Sequence, residues 1–103
     1  DVPPEFMTGV VAESSRLRRH VWTAAADAML DTGYRSRLRD VRVPTLLVWG
    51  ADDGFFPLET QQALLRSLSG ARLVTYPETG HGVHWERPDR FAADLAAFLA
   101  GSR

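Results

Sequence analysis

The run Pro44-Thr45-Leu46-Leu47-Val48-Trp49-Gly50 constrains this chain more than any other segment. It is continuously apolar between a proline and a glycine, and too short to make a buried helix. Such a run predicts a strand covered on both faces, as in a parallel sheet. A parallel partner needs a crossover, and the following residues supply one. Pro57 opens a helix carrying Leu58, Ala63, Leu64, Leu65 and Leu68, closed by Gly70. Arg72 to Tyr76 reads as a second strand, stopped by Pro77. Residues 78–84 read as a loop. Pro88 starts a last helix with Phe91, Leu95, Phe98 and Leu99 on one face. The class is α/β, and residues 41–103 form a βαβα unit.

Residues 1–40 have a different period and read as helical. Pro3 and Pro4 suit a helix start. Phe6, Met7, Val10 and Val11 make one apolar stripe, weakened by Gly9. Ser14 or Ser15 can cap the next helix. That helix carries Leu17, Val21, Trp22, Ala25, Met29 and Leu30 at three- and four-residue spacing, and Asp31-Thr32-Gly33 stops it. A short helical turn is expected around Ser36 to Arg39.

Composition excludes several function classes. The 103 residues carry 12 basic and 13 acidic side chains, a net charge of -1. That balance offers no electrostatic basis for binding nucleic acid or an anionic membrane. All the basic residues are arginine, which carries no functional reading here. The chain has no cysteine, so thiolate metal sites, disulfides and cysteine nucleophiles are excluded within it. No apolar run approaches bilayer length and no secretory signal is visible. The lack of cysteine is compatible with the cytoplasm, which is the expected location.

Two loops carry the chemistry. Asp52 and Asp53 follow the first strand, and His81 follows the second. In an open parallel sheet, the loops at the carboxyl ends of the strands form the ligand-binding edge. A carboxylate and an imidazole brought together there make an acid–histidine pair. The acid holds one ring N–H and stabilises the imidazolium formed when the other nitrogen takes a proton. Gly80 and Gly82 flank His81 and leave the backbone free to turn. Other readings stand beside this one. Asp53 could cap the helix near Pro57, and Asp52 could serve as the acid instead. His84 with His81, Glu86 and Asp53 could suggest a metal, but the ligand spacing is poor and no metal or other cofactor is expected. His84 and Glu86 are assigned to supporting the loop and helix start by hydrogen bonds. Phe55, Phe56, Trp22 and Val83 are candidates for lining a substrate pocket, against the plainer alternative of packing. The arginines at 16, 18 and 19, and at 35, 37 and 39, read as solvated faces.

The stretch from Val43 to Pro57, with Asp53 three residues after Gly50 and four before Pro57, resembles the sixth strand and acid loop of the α/β-hydrolase family. Gly80-His81-Gly82-Val83-His84-Trp85-Glu86-Arg87-Pro88 is similar to that family's histidine loop and the entry to its last helix. Residues 1–40 look, more loosely, like the end of the helical cap inserted before the sixth strand. The resemblance implies Asp53 as catalytic acid and His81 as catalytic base in a triad ordered nucleophile, acid, histidine. No Gly-x-Ser-x-Gly occurs, and none of Ser14, Ser15, Ser36, Ser67, Ser69 and Ser102 falls on a strand-to-helix elbow. The implied protein is therefore a hydrolase, of serine esterase type, of which this chain is the C-terminal portion. Its partners are a small-molecule substrate and the missing N-terminal portion, which holds the nucleophile. An aspartate nucleophile would imply a dehalogenase or epoxide hydrolase, and carbon–carbon bond hydrolysis is open on the same triad. The alternative from another class is a non-catalytic small-molecule receptor or signalling partner on the same fold.

The apolar strand at Leu46 to Gly50 demands more neighbours than one partner strand supplies, and a bare edge of this kind associates. The isolated chain is expected to be inactive, and unstable or self-associating. Sedimentation and thermal melting check this, and a monomer that melts cooperatively would contradict it.

Overall fold

A computed structural model describes residues 2–31 and 33–101. The order of elements is α1 (Pro4–Ser15), α2 (Arg19–Asp31), a 3-10 helix (Tyr34–Asp40), β1 (Leu46–Gly50), α3 (Leu58–Ser67), β2 (Arg72–Tyr76), α4 (Val83–Glu86) and α5 (Pro88–Gly101). The described chain forms two compact units that divide between Tyr34 and Arg35, so the 3-10 helix runs across the division.

The first unit is the helix pair α1 and α2. Pro3 precedes α1, and its carbonyl accepts from the N–H groups of Phe6 and Met7. Proline suits this position because the first turn leaves its N–H groups unpaired in any case. The cap expected at Ser14 or Ser15 is corrected: both residues are the last turn of α1, and α2 starts only at Arg19. The Ser15 hydroxyl instead donates back to the Val11 carbonyl at 2.7 Å. A serine hydroxyl inside a helix can donate to the carbonyl one turn back instead of capping a following helix. The carbonyl of Ser14 accepts from the Trp22 indole N–H at 3.2 Å, which ties the two helices together. Of the expected stripe on α2, Leu17, Val21, Trp22 and Met29 are exposed. The side chain of Leu30, and Thr32 of the expected helix stop, lie outside the described residues.

The second unit is built on the parallel pair β1 and β2. Leu46 stands opposite Arg72, and the register continues to Gly50 opposite Tyr76. The helix α3 connects the strands. After it, Gly70 adopts a left-handed backbone (φ 76°), which costs glycine little because it has no Cβ. The Ala71 N–H then bonds the Leu68 carbonyl, and the chain enters β2.

Burial in β1 differs from the sequence expectation. Only Trp49 and Gly50 are buried, while Leu46, Leu47 and Val48 are half-buried. The reason is that a two-stranded sheet has two edges, so β1 has a strand neighbour on one side only among the described residues. Trp49, Tyr76 and Val83 are buried at and just beyond the carboxyl ends of the strands, and Leu68 is buried where α3 leads into β2. The expected loop over 78–84 is also corrected at its end. One helical turn, α4, begins at Val83, where the N–H groups of Trp85 and Glu86 both bond the Gly82 carbonyl.

Tyr76 ties the end of β2 to α5. Its ring is fully buried, and its hydroxyl donates to Asp94 Oδ2 at 2.6 Å. The Arg90 guanidinium lies 3.9 Å from the ring centroid, a cation–π distance, and donates to the Thr75 carbonyl. Burial, then the bond to Asp94 and its charge, push the Tyr76 phenol up to about 12, with Arg90 opposing. The folded state therefore holds this proton after the unfolded chain has released it. Stability from Tyr76 is complete below the ordinary phenol value and is lost as pH rises towards 12. Tyr76→Phe is expected to cost about 1–2 kcal/mol at neutral pH and to flatten the alkaline fall. Urea denaturation across that pH range checks both.

Candidate active site

The site begins where β1 ends. The Ala51 N–H bonds the Tyr76 carbonyl at 2.8 Å, and the Asp52 N–H bonds the Thr79 carbonyl at 2.9 Å. These two bonds carry the strand pairing past the sheet and join the loop after β1 to the loop after β2. Gly50 makes that approach possible. A Cβ placed there would run into the backbone carbonyls of Thr79 and Gly80.

Beyond Gly50 the chain turns sharply, with the Asp53 N–H on the Gly50 carbonyl at 3.1 Å. Asp53 Oδ1 accepts from the N–H groups of Phe55 and Phe56, at 2.8 and 3.1 Å. Asp53 Oδ2 meets His81 Nδ1 at 2.9 Å. Asp53 is thus committed to its own loop and to the imidazole. It does not cap α3, which starts after Pro57 without a side-chain cap. Asp52 supplies a backbone N–H to the loop junction, and the carboxylate on the imidazole is that of Asp53.

The two partners differ in exposure. The Asp53 side chain is 5% exposed and that of His81 54%. Burial, the strongest influence, pushes the Asp53 carboxyl up. The bond from His81, the two backbone N–H groups and the His81 charge together outweigh it, so the net shift is downward. An ionised carboxylate only accepts, so Nδ1 carries the proton and Nε2 is left as the basic nitrogen. This arrangement can take a proton at Nε2 and stabilise the cation that results.

Phe55 and Phe56 both pack on the imidazole, with ring centroids 5.2 and 5.6 Å away. Phe55 meets it edge-on and is 76% exposed. The Phe56 carbonyl accepts from the Trp49 indole N–H at 2.8 Å, which anchors the acid loop to the core. Val83, in contrast, is buried in that core. Trp22 belongs to the first unit, where it lines an open groove of about 500 Å³ with Val10, Val11 and Leu17. Glu86 accepts from the N–H groups of Gly80 and Gly82. His84 contacts the rings of Trp85 and Phe91, 4.9 and 5.9 Å away, and is not part of the acid–histidine contact. Among the described residues no three His, Asp or Glu side chains converge in a way that could hold a metal ion.

Sequence reasoning missed Thr79 and Arg87. Thr79 is buried, its hydroxyl donates to the Pro77 carbonyl, and its own carbonyl holds Asp52. Arg87 donates to the carbonyl of Glu78, a residue in left-handed backbone (φ 50°). Neither leaves a spacing signal, because both act through backbone carbonyls.

A profile of the alpha/beta hydrolase family matches residues 1–94. The chain belongs to this family. A 2-hydroxy-6-oxononadienedioate/2-hydroxy-6-oxononatrienedioate hydrolase of Cupriavidus pinatubonensis is 30% identical over 99 residues, covering 96% of this chain and 34% of that protein. A protein of the same name from Paraburkholderia xenovorans is 28% identical over 100 residues, covering 97% and 35%. The esterase EaEST of Exiguobacterium antarcticum superposes with a TM-score of 0.88, over 97% of this chain and 37% of its own, at 24% identity. That likeness establishes the alpha/beta hydrolase fold. A serine hydrolase involved in carbazole degradation gives a TM-score of 0.59 at 36% identity, over 61% of this chain and 24% of that one. The chain spans about a third of the length of the curated relatives it matches. Among the described residues no helix is long and apolar enough to cross a membrane.

Gly50→Ala is expected to force the two loops apart, costing about 1–3 kcal/mol and breaking the Asp53–His81 bond. Thermal melting reads the first effect. The downfield Nδ1 proton of His81 in an NMR spectrum reads the second, and its persistence would contradict the account.

Proposed function

We propose that these 103 residues supply the acid and the base of a nucleophile–histidine–acid triad in an α/β-hydrolase, with the nucleophile contributed by residues outside them. The bond from His81 Nδ1 to Asp53 Oδ2 at 2.9 Å carries this reading. It joins a buried, ionised acid to a more exposed imidazole at the ligand-binding edge of a parallel sheet. The absence of a Gly-x-Ser-x-Gly elbow from the sequence, and the one-third coverage of the relatives, support a nucleophile elsewhere.

In the proposed reaction the nucleophile's oxygen attacks a substrate carbonyl carbon. His81 Nε2 takes the hydroxyl proton and Asp53 stabilises the imidazolium. The tetrahedral intermediate collapses, and the imidazolium returns the proton to the departing group. His81 then takes a proton from water as it attacks the acyl carbon, the acyl–enzyme bond breaks to release the acid, and the imidazolium returns that proton to the nucleophile's oxygen. No metal or organic cofactor enters these steps. The substrate is a small molecule with an ester or similar carbonyl. Phe55, exposed beside the imidazole, offers an apolar surface to its substituents.

A second reading of the bond cleaved has its own support. The relatives from Cupriavidus and Paraburkholderia are named as hydrolases of 2-hydroxy-6-oxo dienedioates, substrates whose cleaved bond joins two carbons. The same pair would serve such a reaction, with the departing carbon protonated as it leaves.

The test uses the intact protein carrying this segment. Turnover is measured on p-nitrophenyl acetate and on a 2-hydroxy-6-oxo dienoate. His81→Ala and Asp53→Asn are each expected to lower kcat/KM by about 10³–10⁴-fold. The substrate that is turned over decides between ester and carbon–carbon cleavage. Binding without turnover would overturn the enzymatic reading in favour of a receptor.

A further inference from the structure

We propose that Glu86 is a positioning residue for His81, a role that rests on the proposed triad. Glu86 ends the single turn of α4, and its carboxylate reaches back over the histidine loop. Oε2 accepts from the Gly80 N–H at 3.0 Å, and Oε1 accepts from the Gly82 N–H at 3.2 Å. These are the residues immediately before and after His81. One carboxylate therefore grips the backbone on both sides of the imidazole-bearing residue.

The grip answers a local need. Gly-His-Gly is among the most permissive backbones a chain can have, because two of its three residues lack a Cβ. The imidazole also projects into solvent on one side, so packing there restrains it little. Two fixed N–H groups replace the missing steric restraint. The Glu86 N–H is itself bonded to the Gly82 carbonyl at 2.9 Å, so the carboxylate is mounted on the segment it holds. Space is tight as well: a Cβ on Gly80 would lie 3.0 Å from Oε1. Arg87 secures the start of the same loop through the Glu78 carbonyl.

Helix capping explains only half of this. Gly82 precedes α4, and a bond to its N–H is what a helix start needs. Gly80 lies two residues further out, and its bond contributes nothing to the helix. That second bond fixes the Thr79–Gly80 peptide, where the chain enters the histidine residue's own segment. It also requires a carboxylate. Glutamine would present one oxygen and one NH₂, and the NH₂ would face an N–H donor.

The experiment compares Glu86→Gln, Gly80→Ala and His81→Ala in the intact protein, on p-nitrophenyl acetate. Gly80→Ala displaces the carboxylate without removing it, and it covers the case in which Glu86→Gln fails to fold. Either variant is expected to lower kcat per folded molecule by about 10–100-fold, with KM within about twofold. The downfield Nδ1 proton of His81, which reports its bond to Asp53, is expected in the wild type and broadened or lost in both variants. A merely structural Glu86 would lower the melting temperature and leave kcat and that resonance unchanged. Wild-type kcat and an intact resonance in both variants, with His81→Ala inactive, would overturn the positioning role alone. Wild-type turnover by His81→Ala would overturn the triad beneath it.

Discussion

The meeting of two backbones at the carboxyl ends of β1 and β2 governs the rest of this structure. Gly50 stands opposite Tyr76 in the parallel register, and the Asp52 N–H continues the ladder onto the Thr79 carbonyl. Because Gly50 has no side chain, the acid loop and the histidine loop lie in contact. Asp53 and His81 are 28 residues apart in the chain and 2.9 Å apart in space for that reason. Each loop is then secured from behind. Trp49 holds the carbonyl of Phe56 on one side, and Glu86 and Arg87 hold the other.

The electrostatics follow from the same geometry. A carboxylate shielded from water is costly unless donors surround it. Asp53 has three: two backbone N–H groups of its own turn and the imidazole N–H. Those donors outweigh burial and keep the acid ionised, while the histidine keeps access to solvent. A buried orienting acid beside an accessible base is the division of labour the proposed chemistry requires. Elsewhere in the unit, Tyr76, Arg90 and Asp94 lock β2 to α5, so the platform beneath the loops does not depend on the site itself.

Much of this was legible in the residue pattern. Pro44, Gly50 and Pro77 punctuate the two apolar runs, and the strands occupy Leu46–Gly50 and Arg72–Tyr76 as that punctuation implies. Pro88 opens the last helix as read. Other features were not legible. Ser14 and Ser15 carry a capping side chain, but whether a serine bonds forward or backward depends on where the preceding helix ends. The turn at Val83–Glu86 is too short to show a helical period, and carbonyl bonds from the loop create it. The half-burial of Leu46, Leu47 and Val48 depends on how many strands flank them, which a strand's own sequence does not record.

The sequence by itself determined the α/β class, the order of the strands and longer helices, and the two loops that bear an acid and a histidine. Local rules decide those things: apolar period, the fixed φ of proline and the freedom of glycine. The acid-loop resemblance already favoured Asp53 over Asp52, but only the tertiary structure brought its carboxylate onto the imidazole. It alone joined Glu86 to both flanking glycines and turned Val83 into the core. Those outcomes depend on the angle at which one backbone leaves its strand and on which carbonyl waits across the gap. Such distances are set between segments far apart in the chain, and no window of neighbouring residues contains them.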